Sequence, residues 1–219
     1  EEGREIVIET TIDRNSVRLI LGDNRMIPLT HKNEAIVLGM RGILHSEGLR
    51  TLNYKYVKSD SLENVSEYHT LIVPKGERQK VIFSDSSWVI LNAQSTMKYP
   101  VAFRGEERKV YVEGEAYFEV TRNEDKPFVV HTKYLDIEVL GTSFNVYSYE
   151  RENVMEMALI SGRIKIQTCS EPSRVVYLKP NEKALFNKES GIITVEKTDN
   201  RFETAWLRGD LVFRSTTLS

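Results

Sequence analysis

Three carboxylates crowd one short run of this chain: Glu113, Glu115 and Glu119, within VYVEGEAYFEV from Val110 to Val120. Paired carboxylates carry glycoside hydrolysis when one works as acid and the other as base or nucleophile. Here all three fall at odd positions, opposite Val110, Val112, Ala116, Phe118 and Val120, if the alternation runs unbroken through Gly114. That phase makes them a solvated strand face, or places one carboxylate to accept backbone N–H bonds at a kink at Gly114. Neither role is catalytic.

Other reactive residue types lack the context their chemistry needs. Gly141-Thr142-Ser143-Phe144-Asn145 runs from strand to strand, whereas a nucleophile elbow needs strand, Gly-x-Ser-x-Gly and helix. Gly141 there permits a bulge or a close backbone approach, and Thr142 and Asn145 are expected to satisfy turn amides. Pro74-Lys75-Gly76-Glu77 reads as a β-turn, since a phosphate loop needs several glycines and a following helix. The four histidines, His31, His45, His69 and His131, include no pair at metal-ligand spacing. Cys169 is the single cysteine, which excludes an intrachain disulfide and a multi-cysteine zinc site. It sits where a strand end gives way to a loop, with no helix start or His beside it in sequence to lower its pKa. No catalytic, cofactor or metal residue is assigned.

The elements that must position these residues are short strands. Runs with period-two alternation end at Gly, Asn, Asp or Pro throughout, and helical signals are confined to Asp199–Leu207 and a weaker stretch at Ser61–Glu67. In the first, Thr198 or Asp199 caps and Phe202, Ala205 and Trp206 share a face. An internal echo is visible: Leu19, Leu21, Asp23, Ile27 and Leu29 repeat in spacing as Val81, Phe83, Asp85, Val89 and Leu91. Each set reads as strand, Asp-seeded turn, strand. The two hairpins are either duplicates or two solutions to one turn problem. The expected fold is all-β: an elongated antiparallel β-sandwich or roll with β-solenoid-like character. The expected division is an amino-terminal β segment over 1–67, a β domain over 68–197, and a connector over 198–219.

Composition bounds the function. The chain has 219 residues, 40% hydrophobic and 28% charged, with net charge −2. That balance supports a packed core, and scattered Lys and Arg argue against nucleic-acid binding. No run of about 18 apolar residues could span a bilayer.

Four stretches in order resemble the FecR family, membrane-anchored anti-sigma regulators of Gram-negative bacteria, most nearly the Bacteroidetes-type members. They are LNAQSTMKYP (Leu91–Pro100, with Asn92 and Pro100), GEAYFEV (Gly114–Val120, with Glu115), Pro127-Phe128, and VLGTSFNV (Val139–Val146, with Gly141 and Asn145). The similar region runs from about Tyr68 to about Leu218. Trp206, Gly209, Leu211 and Phe213 match the family's Trp-x-x-Gly-x-Leu-x-Phe run, which opens a small α/β domain; the resemblance implies that this domain is truncated here. Leu211–Phe213 is expected to add an edge strand and Trp206 to be partly buried. Two departures stand out. Asn181 replaces the usual Gly of a Leu-x-Pro-Gly-Glu turn, and Asn is the next-best residue for left-handed φ. Ser86 and Ile90 replace Gly and Trp in the Asp85–Leu91 hairpin, which leaves its turn type open.

The resemblance implies a non-enzymatic, periplasmic region anchored in the inner membrane through a helix upstream of Glu1. It would receive a signal from the signalling domain of a TonB-dependent outer-membrane transporter, and control an extracytoplasmic-function (ECF) sigma factor through a segment outside this chain. The alternative is a carbohydrate-binding or glycan-processing β protein, suggested by the acidic strand face and by Trp88, Tyr99, Tyr111, Tyr117, Tyr147 and Tyr149.

Overall fold

The structure, a computed structural model, describes residues 16–29, 35–37, 43–46, 50–54 and 67–210. In chain order come β1 (Val17–Ile20), β2 (Met26–Leu29), β3 (Ala35–Val37), β4 (Ile43–Ser46), β5 (Thr51–Asn53), β6 (Tyr68–Val73), β7 (Gln79–Ile82), β8 (Trp88–Leu91) and β9 (Ser95–Pro100). The long β10 (Arg108–Glu119) precedes β11 (Phe128–His131), β12 (Leu135–Val139), β13 (Ser143–Ser148), β14 (Val154–Ser161) and β15 (Ile164–Thr168). Then follow β16 (Val175–Leu178), β17 (Glu182–Asn187), β18 (Ile193–Lys197), and two single-turn helices, α1 (Asn200–Glu203) and α2 (Ala205–Arg208).

The strands build two sheets that share β10. One sheet runs β2-β1-β6-β9-β10-β11-β12-β15-β16. The other runs β3-β4-β5-β7-β8-β10-β13-β14-β17-β18. The all-β reading stands, with one correction: β10–β11 and β5–β7 pair in parallel, so the sheets are mixed rather than antiparallel. Both parallel pairs are joined by segments too long for a hairpin turn, which only antiparallel neighbours can use.

β10 changes sheet at Gly114. Its first half pairs with β9 and β11, and from Gly114 it pairs with β8 and β13. Gly114 has φ +106°, and a Cβ there would lie 2.6 Å from the Cα of Ser95. Only glycine allows both that conformation and that approach. Alternation survives the kink: Val110, Val112, Ala116 and Phe118 are buried and odd positions face outward. Rings from the two layers then meet in one core. Phe83 contacts Tyr99 at 5.6 Å between centroids, and Phe118 contacts Phe128 at 5.9 Å and stacks on Phe144 at 5.1 Å. Val17, Leu19, Leu21, Leu52 and Tyr54 belong to this same core, and β1 pairs directly with β6.

The echoed hairpins are alike in detail. In β1–β2, Leu21 N–H donates to Arg25 O, Asn24 N–H to Leu21 O, and Asp23 Oδ1 accepts from Arg25 N–H. In β7–β8, Phe83 N–H donates to Ser87 O, Ser86 N–H to Phe83 O, and Asp85 Oδ1 accepts from Ser87 N–H. Asn24 and Ser86 hold the same left-handed position, φ 66° and 69°. The Ser86 departure therefore keeps the glycine-type turn rather than changing it. Asn181 does the same at φ 66°.

Candidate functional site

Four residues that lie far apart in sequence meet where α2 rests on the second sheet. Asn92, just after β8, donates from Nδ2 to Glu115 Oε2 at 2.7 Å. Asn145 on β13 donates from Nδ2 to Glu115 Oε1 at 3.1 Å, and its Oδ1 accepts from Trp206 Nε1 at 3.2 Å. The β10 backbone is locked beneath them: Asn92 N–H donates to Glu115 O, and Ser95 Oγ accepts from Glu115 N–H at 2.9 Å. Register places this chain of bonds, since β10 lies between β8 and β13 and presents Glu115 outward between them. Burial pushes the Glu115 carboxyl above its ordinary range, while the two amide donors pull it back.

This arrangement corrects two expectations. The Glu115 carboxylate is largely buried rather than a solvated face group, and it accepts from the side-chain amides of Asn92 and Asn145 rather than from backbone N–H groups. Asn145 serves no turn amide, because it sits mid-strand and bridges Glu115 to Trp206. Thr142 also serves no turn amide, since its hydroxyl donates to Arg163 O at 3.1 Å. The other two carboxylates differ from Glu115. Glu113 is exposed, and Glu119 accepts from Tyr117 OH at 2.9 Å and Ser143 Oγ at 2.7 Å.

The helical side of the junction is set by short-range chemistry. Asp199 caps α1 by accepting from Arg201 N–H at 3.0 Å. The helix is interrupted at Thr204 before α2, and Phe202, Ala205 and Trp206 still line one cleft, although Phe202 is 55% exposed while Ala205 is buried. Arg78 lies over the Trp206 ring at 5.5 Å. Behind the helices, Lys183 Nζ reaches Glu156 at 3.0 Å, Glu196 at 3.3 Å and Glu203 at 3.5 Å, and Glu203 also accepts from Thr198 Oγ1 at 2.6 Å. A cleft of about 420 Å³ opens beside the network, lined by Glu115, Asn145, Tyr147, Glu156, Glu203 and Trp206. Its carboxylates Glu115, Glu156 and Glu203 are held by side-chain amides and by an ammonium group.

The remaining motif residues are structural. Pro100 ends β9 opposite Tyr68. Gly141 lies where a Cβ would meet Arg122 Cα at 2.6 Å, so it meets the close-approach alternative, and the β13–β14 register shifts nearby at Ser143/Phe144. Gly76 holds φ +80° in the Pro74 turn. His69 is buried and bonded to Tyr54 OH at 2.7 Å, which in turn meets Tyr99 OH at 2.9 Å. His31 and Leu211–Phe213 lie outside the described residues, as does nearly all of the weaker helical stretch at Ser61–Glu67; His45 falls on β4. The aromatics make no common platform: Tyr99 is in the core, Trp88 packs on Tyr117, and Tyr147 on Tyr149.

Among the described residues, two buried cations have no place in the sequence-based expectations. Arg108 is 2% exposed, and donates to Asp85 Oδ2 at 2.7 Å, Thr121 O at 2.8 Å and Lys126 O at 2.9 Å. It ties the β7–β8 turn to the β10–β11 loop. Its even position, in phase with Val110 and Val112, is the signal that could have found it. Lys183 carries no such signal, since its neighbour Ala184 is buried too.

An all-β module whose polar outer residues fasten a helical connector to a sheet is the class that fold and site define. The model of the family described as FecR protein matches residues 69–165, which hold Asn92, Glu115 and Asn145. Two crystal structures of proteins from Parabacteroides distasonis, provisionally described as anti-sigma factors, are similar to this chain. One shows 39% identity and TM-score 0.63 over 66% of this chain and 67% of that one. The other shows 38% identity and TM-score 0.64 over 67% and 68%. No curated protein shows significant similarity. The chain belongs to the FecR family.

Proposed function

We propose that this chain is the signal-receiving region of an anti-sigma regulator. It acts in the periplasm of a protein anchored in the inner membrane, takes its signal from the signalling domain of a TonB-dependent outer-membrane transporter, and governs an ECF sigma factor held by a segment outside these residues. Family membership and the anti-sigma description of both structural neighbours support the regulatory part. The observation that carries the reading is the Asn92–Glu115–Asn145–Trp206 network. It joins the family's separated motifs into one device that fixes the helical connector on the sheet. A regulator that passes a signal along its chain needs such a coupling.

Deletion of the gene and its overexpression, each followed by a reporter for the neighbouring sigma factor's promoter, test this reading. Opposite changes in reporter output are expected, together with direct binding of the chain, extended beyond Ser219, to the transporter's signalling domain. An unchanged reporter in both strains would overturn it.

A further inference from the structure

A second group of reactive side chains lies on the outer face of the other sheet, away from Trp206. His131 ends β11 and pairs in register with Asp136 on β12. Asp136 pairs in turn with Gln167 on β15, and Cys169 lies two residues further on. Period-two alternation puts all three side chains on the same outward face. His131 Nδ1 and Asp136 Oδ1 are hydrogen-bonded at 2.5 Å. One donor atom from each of His131, Asp136 and Cys169 falls within 4.8 Å of the other two. We propose that these three residues bind a divalent transition-metal ion of borderline softness, zinc being the one whose chemistry they fit, with a fourth position open to solvent.

The donor set carries the choice of ion. Imidazole nitrogen, carboxylate oxygen and thiolate sulfur together are poor ligands for magnesium or calcium, which take oxygen alone, and suit zinc well. Bond lengths of about 2.0–2.3 Å at tetrahedral angles set neighbouring donors about 3.3–3.6 Å apart. The 4.8 Å limit therefore has to contract by about 1 Å and the His131–Asp136 contact to open by a similar amount, within reach of side-chain rotation.

The frame holding the donors is already fixed. Cys169 N–H donates to Tyr134 O at 2.8 Å, which pins the sulfur's backbone to the β11–β12 turn. The His131 ring packs edge-on against Tyr111 at 5.2 Å, which limits its rotation. Nearby Lys109 already pairs with Glu107 at 3.0 Å. Binding forms metal–nitrogen, metal–oxygen and metal–sulfur bonds and releases the thiol proton to solvent. The anionic sulfur and carboxylate then balance the ion's two charges. No spacing motif announces this site, because the donors sit 5 and 33 residues apart and meet only through the register of three strands.

The test is titration of the reduced chain with cobalt(II), then displacement by zinc. The expected result is a thiolate-to-cobalt charge-transfer band with tetrahedral visible bands, saturating at one ion per chain. Cys169→Ser should abolish the charge-transfer band and, with His131→Ala, weaken affinity more than about tenfold. Both positions are surface-accessible, and unchanged far-ultraviolet circular dichroism would show that the variants fold. Absence of saturable binding would overturn the proposal. So would binding without the sulfur band, or saturation at one ion per two chains, which would place the ion between copies.

Discussion

Glu115 is a carboxylate whose charge is constrained by burial. Burial raises its folded pKa above the ordinary value of 4.5, so ionisation is disfavoured in the folded chain relative to the unfolded one. Between 4.5 and the raised folded value the folded state holds the extra proton; stability therefore rises as pH falls through that window, and the penalty is complete above it. Glu115→Gln removes the titration and leaves one acceptor for two amide donors, a pH-independent cost of about 1 kcal/mol. Denaturant midpoints taken in steps upward from pH 4.5 should fall with pH in the wild type more steeply than in the variant. Parallel curves would show that the carboxylate bears no burial penalty. No hydrolase activity is expected of either protein. The same low tolerance for unpaired charge explains Arg108, whose guanidinium is surrounded by one carboxylate and several carbonyls rather than by water.

At the level of elements, strand alternation was readable wherever one face is buried, because period two follows from the pleat alone. Val110 to Val120 shows it, and so do the Asp-seeded turns at Asp23 and Asp85. Sheet membership was not readable. Nothing in the residues of β10 says that its halves serve different sheets except Gly114, whose need for a positive φ is visible only against Ser95. The junction was half legible: Asn92, Glu115, Asn145 and Trp206 stood out singly as motif residues, yet only strand register brings them together. The exposure of Phe202 was not legible, since it shares a cleft with Ala205 and Trp206 yet is 55% exposed. Two substitutions test how these elements pack. Phe118→Ala, at a fully buried ring stacked on Phe144, should cost about 3–5 kcal/mol in chemical denaturation. Gly141→Val forces side-chain atoms onto the Arg122 backbone, and should lower stability by more than about 1 kcal/mol, well beyond a surface change. A melting temperature equal to wild type would mean that the Arg122 segment moves aside freely.

Across the whole molecule, the helical connector is held by few contacts and the sheets by many. Trp206→Ala removes the Asn145 bond and the Arg78 contact. The expected outcome is faster amide exchange at Leu207 and Gly209, with the main unfolding transition shifted by about 1 kcal/mol or less, since opening there is local. Slow exchange retained in the variant would place the connector's anchorage at Ala205 and Glu203 instead. The shared strand has the opposite effect. β10 hydrogen-bonds to β8, β9, β11 and β13, so melting either sheet strips one half of β10 of its partners, and the two sheets are expected to melt together. The two layers are thermodynamically a single switch, and calorimetry should return one endotherm with equal calorimetric and van't Hoff enthalpies.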